Sequence, residues 1–125
     1  MLLDSHVLLW ILEDLPLLGN GAKTRVLENR CWFSSASIWE LEIKAGKNKL
    51  RLPGSLSRAL TQSGLRELPV SALHAEHTSK VALPHRDPFD RMLLSQALAE
   101  GMPLMTADHI LLRHAPLDSV IDATV

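Results

Sequence analysis

Residues 87–106, DPFDRMLLSQALAEGMPLMT, contain a helix followed by a strand, and this stretch is the clearest guide to the fold class. Asp87 can cap a helix that has Pro88 in its first position, and apolar residues then recur three and four positions apart. Gly101 suits the left-handed residue with which such a helix ends. The apolar run 103–106 has the length of a buried strand. A helix that leads straight into a buried strand is typical of a parallel α/β sheet.

Apolar strands and amphipathic helices alternate along the rest of the chain. The sequence predicts further strands at 1–3, 31–35, 65–70 and 119–121. It predicts helices between Asp4 and Pro16, at 22–28, 36–47, 56–63 and 71–83, and from Asp108 onward. Strands that alternate with helices pair in parallel through right-handed crossovers. We therefore predict an α/β fold with helices on both faces of a mainly parallel sheet.

Length and charge limit the class of protein. A chain of 125 residues corresponds to one domain, which we place at 1–125. Its 13 Lys and Arg residues nearly balance 14 Asp and Glu residues, so a nucleic-acid partner must meet a local basic patch. No apolar run approaches the roughly 20 residues of a membrane span, and the N-terminus lacks the basic start of a signal peptide. We therefore expect a cytoplasmic protein with no membrane segment.

Four acids that are far apart in sequence fall at strand ends or helix beginnings. Asp4 directly follows the first strand, and Asp108 lies just beyond the strand that ends at 106. Glu40 lies about one turn into the helix after the second strand, and Asp90 lies in the first turn of the helix at 87–101. Because the carboxyl ends of parallel strands share one edge of the sheet, we expect these side chains to converge there.

The pattern around Asp90 indicates a metal. Leu93, Leu94 and Ala97 share its helix face, so its carboxylate points toward the core, where an ionised group needs compensation by hydrogen bonds, a partner charge or a metal. Several carboxylates at one edge raise one another's pKa, and a divalent cation relieves that repulsion. Ligands that are all oxygen favour Mg²⁺ or Mn²⁺ over zinc. The plainer alternative is that Asp4, Asp87 and Asp108 only cap helices and that Glu40 pairs with Lys44.

Other residues are less specific. Cys31 is the only cysteine, which excludes an intrachain disulfide. His74 and His77 lie three residues apart but lack the remainder of a zinc motif. The tryptophans fall in apolar segments, so we expect core positions for Trp10, Trp32 and Trp39. Three histidines near the acids can contact a substrate or simply face solvent, namely His6, His85 and His109.

Four segments resemble, in the same order, the signature segments of the PIN domain family and, within it, of the VapC-type toxins of bacterial toxin–antitoxin pairs. They are MLLDSHVLLW at 1–10, SIWELEIKAGKNKL at 37–50, LPHRDPFDRMLLSQALA at 83–99 and LMTADHIL at 104–111. The resemblance implies a three-layer α/β/α fold and an endoribonuclease that depends on Mg²⁺ or Mn²⁺. It also implies a cognate antitoxin as partner and a homodimer.

Position by position, the resemblance implies a catalytic and metal-binding site formed by Asp4, Glu40, Asp90 and Asp108. Thr106 resembles the hydroxyl residue that supports the last of these acids. Ser5 stands where the family often has threonine. Asp87 resembles a neighbour of the site, and we expect it to be a helix cap first. With an ion held there, the expected reaction is metal-assisted hydrolysis of an RNA phosphodiester, which needs no protein nucleophile.

Basic residues near the acids are candidates for contacts with the RNA backbone. They are Lys44, Lys47, Lys49 and Arg51 after Glu40, and Arg86 and Arg91 on either side of Asp90. Of these, we expect Lys44, Lys47, Arg86 and Arg91 to contact RNA. The alternative for each is an ordinary solvated charge.

Three other functions compete with this hypothesis. A phosphoryl-accepting aspartate is disfavoured because Asp4 is followed by Ser5 and His6, with no second aspartate two residues on. A non-catalytic module that binds RNA or protein on the same fold would be favoured by a missing acid, and all four acids are present. A metal-dependent DNA nuclease is a further alternative, because an acidic site recognises phosphate and not the 2′-hydroxyl of the sugar.

Overall fold

A computed structural model describes residues 1–14, 16–84 and 87–125, and a five-stranded sheet forms the centre of this part of the chain. Its strands are β1 (Leu2–Leu3), β2 (Trp32–Ser34), β3 (Arg66–Leu68), β4 (Leu104–Thr106) and β5 (Val120–Asp122). They lie in the order β3-β2-β1-β4-β5, and each neighbouring pair is parallel. The predicted parallel sheet is confirmed, although the strands predicted at 31–35 and 65–70 are shorter at both ends.

Helices connect consecutive strands. They are α1 (Ser5–Glu13), α2 (Asn20–Glu28), α3 (Ser35–Gly46), α4 (Leu56–Gln62), α5 (Ala72–His77), a 3-10 helix (Thr78–Lys80), α6 (Pro88–Glu100) and α7 (His109–His114). The predicted end of α6 is confirmed, because Gly101 follows it with a φ of 65°. The predicted caps are also present, since α1, α6 and α7 are capped by the side chains of Asp4, Asp87 and Asp108.

The helix predicted at 71–83 is wrong at its C-terminal end, because α5 stops at His77. In a longer helix the carbonyl of Thr78 would accept from the N–H of residue 82. It accepts instead from Val81 N, at 3.3 Å, and from the guanidinium of Arg91 on α6, also at 3.3 Å. The chain therefore continues beyond α5 as a 3-10 turn, and the first carbonyl of that turn also binds Arg91.

The start of α2 is another difference, since the helix begins two residues earlier than predicted. Gly19 caps it, and Asn20 and Gly21 are its first residues. The N–H of Gly19 donates to Ala123 O and that of Gly21 to Val125 O, both at 2.9 Å. A Cβ on Gly19 would lie 2.4 Å from the carbonyl carbon of Val125. The close approach of these two main-chain segments therefore requires glycine at position 19.

Two apolar clusters cover the two faces of the sheet. Leu3 of β1 and Met105 of β4 pack with residues of α1, α2 and α4, whereas Leu2 and Leu104 pack with residues of α6 and α7. Successive strand residues point to opposite faces, so this division places helices on both sides. The architecture is the predicted three-layer α/β/α arrangement. Within the described ranges, no helix combines the length and apolar character needed to span a bilayer.

Trp39 is not in the core, where the sequence predicted it. The buried face of α3 is formed by Ala36, Ser37, Glu40 and Leu41. Trp39 therefore lies on the other side of the helix, where 65% of its surface is exposed. Its ring packs edge to face against Phe89 of α6, with the ring centroids 5.3 Å apart. Trp10 and Trp32 are partly buried, each against one of the two apolar clusters.

Candidate active site

The sheet has its topological switch point at β1, whose neighbours are β2 on one side and β4 on the other. Crevices form at the carboxyl ends of strands at such a point, because the connections leave in opposite directions. Residues that follow β1 and β4 line a cavity of about 380 Å³ here. The structure brings the four predicted acids together around this acid cavity, which is lined by Asp4, His6, Trp10, Glu40, Lys44, Asp87, Asp90, Ala107, Asp108 and His109.

Asp4 joins the cavity to the ends of two strands. It follows β1 directly and caps α1, with Oδ1 accepting a hydrogen bond of 2.6 Å from Ser5 N. Its other oxygen, Oδ2, accepts a hydrogen bond of 2.6 Å from Thr106 Oγ1 at the end of β4. The residue is only 5% exposed. Both oxygens are therefore held in place by the protein.

The environment of Asp4 raises the pKa of its carboxyl group above the ordinary value, mainly because burial disfavours the ionised form. Hydrogen bonds from Thr106 and Ser5, and the positive charge of His6, lower this pKa and offset part of the effect. The nearby charge of Glu40 raises it. An ionised Asp4 would thus be stabilised by further positive charge in the cavity.

Glu40 is held by groups from two helices. Ser5 Oγ donates to Glu40 Oε1 at 2.6 Å and lies 3.0 Å from Ser37 Oγ. Lys44 Nζ is 3.3 Å from Glu40 Oε2, which is the i,i+4 pair that the sequence allowed. Ser37 was not among the predicted site residues. Its position three residues before Glu40, on the same helix face, is the sequence signal that could have identified it.

Asp87 and Asp90 line the cavity from the start of α6. Asp87 Oδ1 accepts from Phe89 N at 2.9 Å and from Asp90 N at 3.4 Å, so its expected role as helix cap is confirmed. Asp90 is 8% exposed, as expected for a residue that shares a helix face with core leucines. The first turn of α6 therefore carries two of the carboxylates around the cavity.

Asp108 lines the cavity from the end of β4, two residues beyond the last residue of that strand. Its Oδ1 caps α7 by accepting from Ile110 N and Leu111 N, each at 2.9 Å. Its own N–H donates to Thr106 Oγ1 at 3.0 Å. The same hydroxyl therefore supports Asp108 through its main chain and Asp4 through its side chain. Helix capping and convergence on one cavity are both properties of these acids, and neither excludes the other.

The predicted basic residues have different surroundings. A second cavity of about 330 Å³ shares Glu40, Lys44 and Asp87 with the acid cavity and adds Lys47 and Lys49. The Arg91 guanidinium is engaged elsewhere, since it donates to three main-chain carbonyls. Arg86 and His85 lie outside the described residues. Lys44, Lys47 and Lys49 therefore form the basic groove that adjoins the acids.

The histidine pair on α5 has a structural environment. His74 is 4% exposed, and its Nδ1 accepts from Ser71 N at 3.0 Å, as part of the cap of α5. Its Nε2 lies 3.2 Å from Glu100 Oε1. His6 and His109, in contrast, line the acid cavity. Of the histidines with described positions, these two are the ones beside the candidate site.

The donor set of the cavity fits a hard divalent cation, because it consists of carboxylate oxygens and because burial and the nearby charge of Glu40 raise the pKa of Asp4. Across residues 1–14, 16–84 and 87–125, no group of three or more His, Cys, Asp or Glu side chains is arranged to hold an ion by itself. Mg²⁺ usually keeps several waters and binds through one or two carboxylates, so it does not need such a group. The residues present therefore suit a partly hydrated ion.

Comparisons with known proteins give a family and a fold. The family model described as PIN domain matches residues 1–116, whereas no curated protein matches the sequence. Among solved structures, the VapBC2 complex of Rickettsia felis bound to a promoter DNA fragment has a chain that is 17% identical, with a TM-score of 0.70 and 96% of each chain covered. The DNA-bound VapBC of Salmonella typhimurium has a chain that is 21% identical, with a TM-score of 0.68. This match covers 97% of this chain and 96% of that chain.

A toxin–antitoxin complex from Klebsiella pneumoniae is a further match, at 16% identity and a TM-score of 0.63, with 98% of this chain and 96% of that chain covered. At these identities the likeness concerns the fold, which agrees with the three layers and the strand order described above. The family model covers most of the chain, including all five acids that line the cavity. The chain therefore belongs to the PIN domain family.

Proposed function

We propose that this protein is a metal-dependent endoribonuclease and the toxin of a toxin–antitoxin pair, with 1–125 as one PIN domain. The observation that carries the proposal is the convergence of Asp4, Glu40, Asp90 and Asp108 on one cavity at the switch point of the sheet. Helix capping alone does not account for this set, because Glu40 lies within α3, whose cap is Ser34. Membership of the PIN domain family supports the same conclusion.

The acids are supported in a way that suits catalysis. Thr106 and Ser5 donate to Asp4, and Ser5 also donates to Glu40, so two of the carboxylates are oriented before any ligand binds. Asp4, Glu40, Asp90 and Asp108 would hold a partly hydrated ion, one or two of them directly and the others through its waters. A bound Mg²⁺ or Mn²⁺ would supply an activated water and neutralise charge on the phosphate. The protein's own part is to orient the carboxylates and to keep their charge in a buried cavity.

The basic groove supports a polyanionic substrate. Lys44, Lys47 and Lys49 line a cavity that shares residues with the acid cavity, so a phosphate chain that enters the site can continue along them. Lys44 also neutralises Glu40, at 3.3 Å, when no substrate is present. Since the net charge of the whole chain is −1, this local groove is the feature that would attract RNA.

The partners follow from the family and the structural matches. The chains of similar fold from Rickettsia felis and Salmonella typhimurium belong to VapBC complexes, and the one from Klebsiella pneumoniae to a toxin–antitoxin complex. We propose by analogy that this chain binds a cognate antitoxin and forms a homodimer, and that it acts in the cytoplasm, where its RNA substrate is found. Co-expression with the product of a small adjacent open reading frame, followed by light scattering of the purified complex, tests both associations.

The test of the enzymatic proposal combines melting with cleavage. The wild type, Asp90→Asn and the surface control Glu76→Gln are melted in EDTA, Mg²⁺ and Mn²⁺, and the same samples are then incubated with a structured RNA. A ligand that binds only the folded state raises the melting temperature, so we expect metal to stabilise the wild type and the control and to stabilise Asp90→Asn less. Cleavage of the RNA is expected from the wild type and from Glu76→Gln, but not from Asp90→Asn.

The results distinguish the competing functions. Undiminished cleavage by Asp4→Asn or Asp90→Asn would overturn the assignment of the acids. Absence of both metal stabilisation and cleavage in the wild type would leave the acids as helix caps and favour a non-catalytic binding module. Equal cleavage of DNA and RNA of the same sequence would favour the broader nuclease, because carboxylates that hold a metal act on the phosphate and do not recognise the 2′-hydroxyl.

A further inference from the structure

The side chain of Arg91 donates hydrogen bonds to three main-chain carbonyls of one stretch of the chain. Its Nη1 donates to Val81 O at 2.7 Å and to Thr78 O at 3.3 Å, and its Nη2 donates to Leu83 O at 2.8 Å. We call residues 78–84 the connecting segment, since they lead from α5 toward α6. Beyond the 3-10 helix at its start, this segment has no regular secondary structure. Arg91 is thus the side chain that organises it.

Arg91 is bonded to the acid-bearing turn as well. It follows Asp90 directly in α6, and its main-chain N–H forms the regular helical hydrogen bond with Asp87 O, at 3.2 Å. The connecting segment ends only three residues before Asp87. A single residue therefore links the path of the incoming chain to the turn that presents both carboxylates.

The chemistry of these contacts favours a positioning role over a role in binding RNA. The ion pair between Lys44 and Glu40 does not include Arg91. The half-buried guanidinium instead faces neutral carbonyls, which its fixed fork of donors can bind simultaneously. Val81 and Leu83 place their side chains in the apolar cluster beneath α6, so the segment is held from two sides.

We propose that Arg91 is a positioning residue of the acid cavity. Its guanidinium fixes the connecting segment against α6 and thereby sets where Asp87 and Asp90 stand relative to the other carboxylates. The effect on metal affinity rests on the proposed function, whereas the effect on the connecting segment does not. Lysine cannot replace arginine here, because one ammonium group on a flexible stem does not match three carbonyls in a fork.

The experiment compares Arg91→Lys with Leu60→Val. Leu60 is fully buried in the apolar cluster on the other face of the sheet, so its substitution supplies a destabilised control with an unaltered cavity. Three properties are measured for both variants and the wild type: amide hydrogen exchange in residues 78–84, the Kd for Mn²⁺ by electron paramagnetic resonance, and RNA affinity in EDTA. Loss of a group that orients metal ligands typically weakens metal binding about 10- to 100-fold.

We expect Arg91→Lys to accelerate exchange in the connecting segment and to raise the Mn²⁺ Kd about tenfold, as for other groups that orient metal ligands. RNA affinity in EDTA should not change, since the charge is retained and the lysine groove is intact. Leu60→Val should leave the Mn²⁺ Kd unchanged. An unchanged Kd in Arg91→Lys, or an equal increase in both variants, would overturn the inference while leaving the proposed function in place. A wild type that does not bind Mn²⁺ would overturn both.

Discussion

Thr106 and Asp4 are 102 positions apart in sequence, yet Thr106 Oγ1 donates a hydrogen bond of 2.6 Å to Asp4 Oδ2. The bond joins the carboxyl ends of β1 and β4, which pair in parallel through Leu3 and Met105. Both partners are buried, and the same hydroxyl accepts from Asp108 N. One threonine therefore sets the relative positions of two of the five acids that line the cavity.

Thr106→Val is expected to destabilise the protein by about 1–3 kcal/mol, because it leaves a buried carboxylate oxygen and a main-chain N–H without their partner. It should also raise the pKa of Asp4 further, since the hydrogen bond from Thr106 lowers that pKa in the wild type. Urea denaturation at neutral pH measures the first effect. Thr106→Ser is the control, because it retains the hydroxyl group, and equal stability of the two variants would contradict the prediction.

The melting temperature of Asp4→Asn relative to the wild type, measured in EDTA, is expected to rise as the pH increases from 4 to 8. Asparagine replaces one acceptor oxygen with a donor, so the hydrogen bond from Thr106 Oγ1 is lost at every pH, and the pH dependence is what reports the carboxyl group. The pKa of Asp4 is raised on folding, so the folded state binds the proton more tightly than the unfolded state does. This stabilisation is complete below the ordinary carboxyl range, near pH 4, and is lost as the pH rises through the raised pKa. The wild type should therefore lose stability relative to the asparagine variant as the pH rises from 4 to 8.

Asp122 provides a control for that measurement, because its pKa is shifted in the opposite direction to that of Asp4. Hydrogen bonds from Thr124 lower the pKa of Asp122, so its ionised form stabilises the folded state above the ordinary range, and this contribution is lost as the pH falls. Asp122→Asn should therefore lower the melting temperature slightly at pH 7.5, since the residue is only partly buried and water screens its charge. A difference in melting temperature between Asp4→Asn and the wild type that did not change between pH 4 and 8 would contradict the assignment to Asp4.

The double variant Lys47→Gln, Lys49→Gln is expected to weaken RNA binding uniformly across RNA sequences. It should also reduce the slope of log K against log salt by about 0.7 for each phosphate of a single strand that these lysines neutralise in the wild type. Binding is measured in EDTA, so that cleavage does not interfere. Lys23→Gln on exposed α2 is the matched control. If it reduced the slope as much as the double variant does, the groove would not be the RNA-binding surface.

Gly19→Ala is expected to cost about 1–3 kcal/mol, the usual range for forcing extra volume into a packed site. The added Cβ would meet the main chain of Val125 at 2.4 Å, and neither segment can shift without breaking the hydrogen bond from Gly19 N to Ala123 O. Gly54→Ala is the control, because a Cβ there meets no atom within 4 Å. Equal melting temperatures of the two variants would contradict the prediction, because the close approach of Gly19 to the main chain of Val125 would then not affect stability.

Features that depend on short stretches of chain could be predicted from the amino-acid sequence. Helix caps such as Asp87, the left-handed end at Gly101 and the alternation of strands and helices are set by residues within a few positions of one another. That local logic was enough to predict the parallel sheet and to place Asp4 and Asp108 at one edge of it. The same local signals predict that the chain passes from strand to helix just after β1 and just after β4.

Contacts between side chains of different layers, in contrast, depend on the packed fold. Ser5 of α1 donates a hydrogen bond to Glu40 of α3, and Arg91 of α6 donates one to the carbonyl of Thr78, just beyond α5. Trp39 faces outward because the face of α3 that carries Glu40 is the buried one. None of these contacts leaves a periodic signal, because a helix pattern shows that one face is apolar but not which neighbour covers it. Burial and long-range hydrogen bonds are properties of the packed layers, so they arise only when the sheet brings distant segments together.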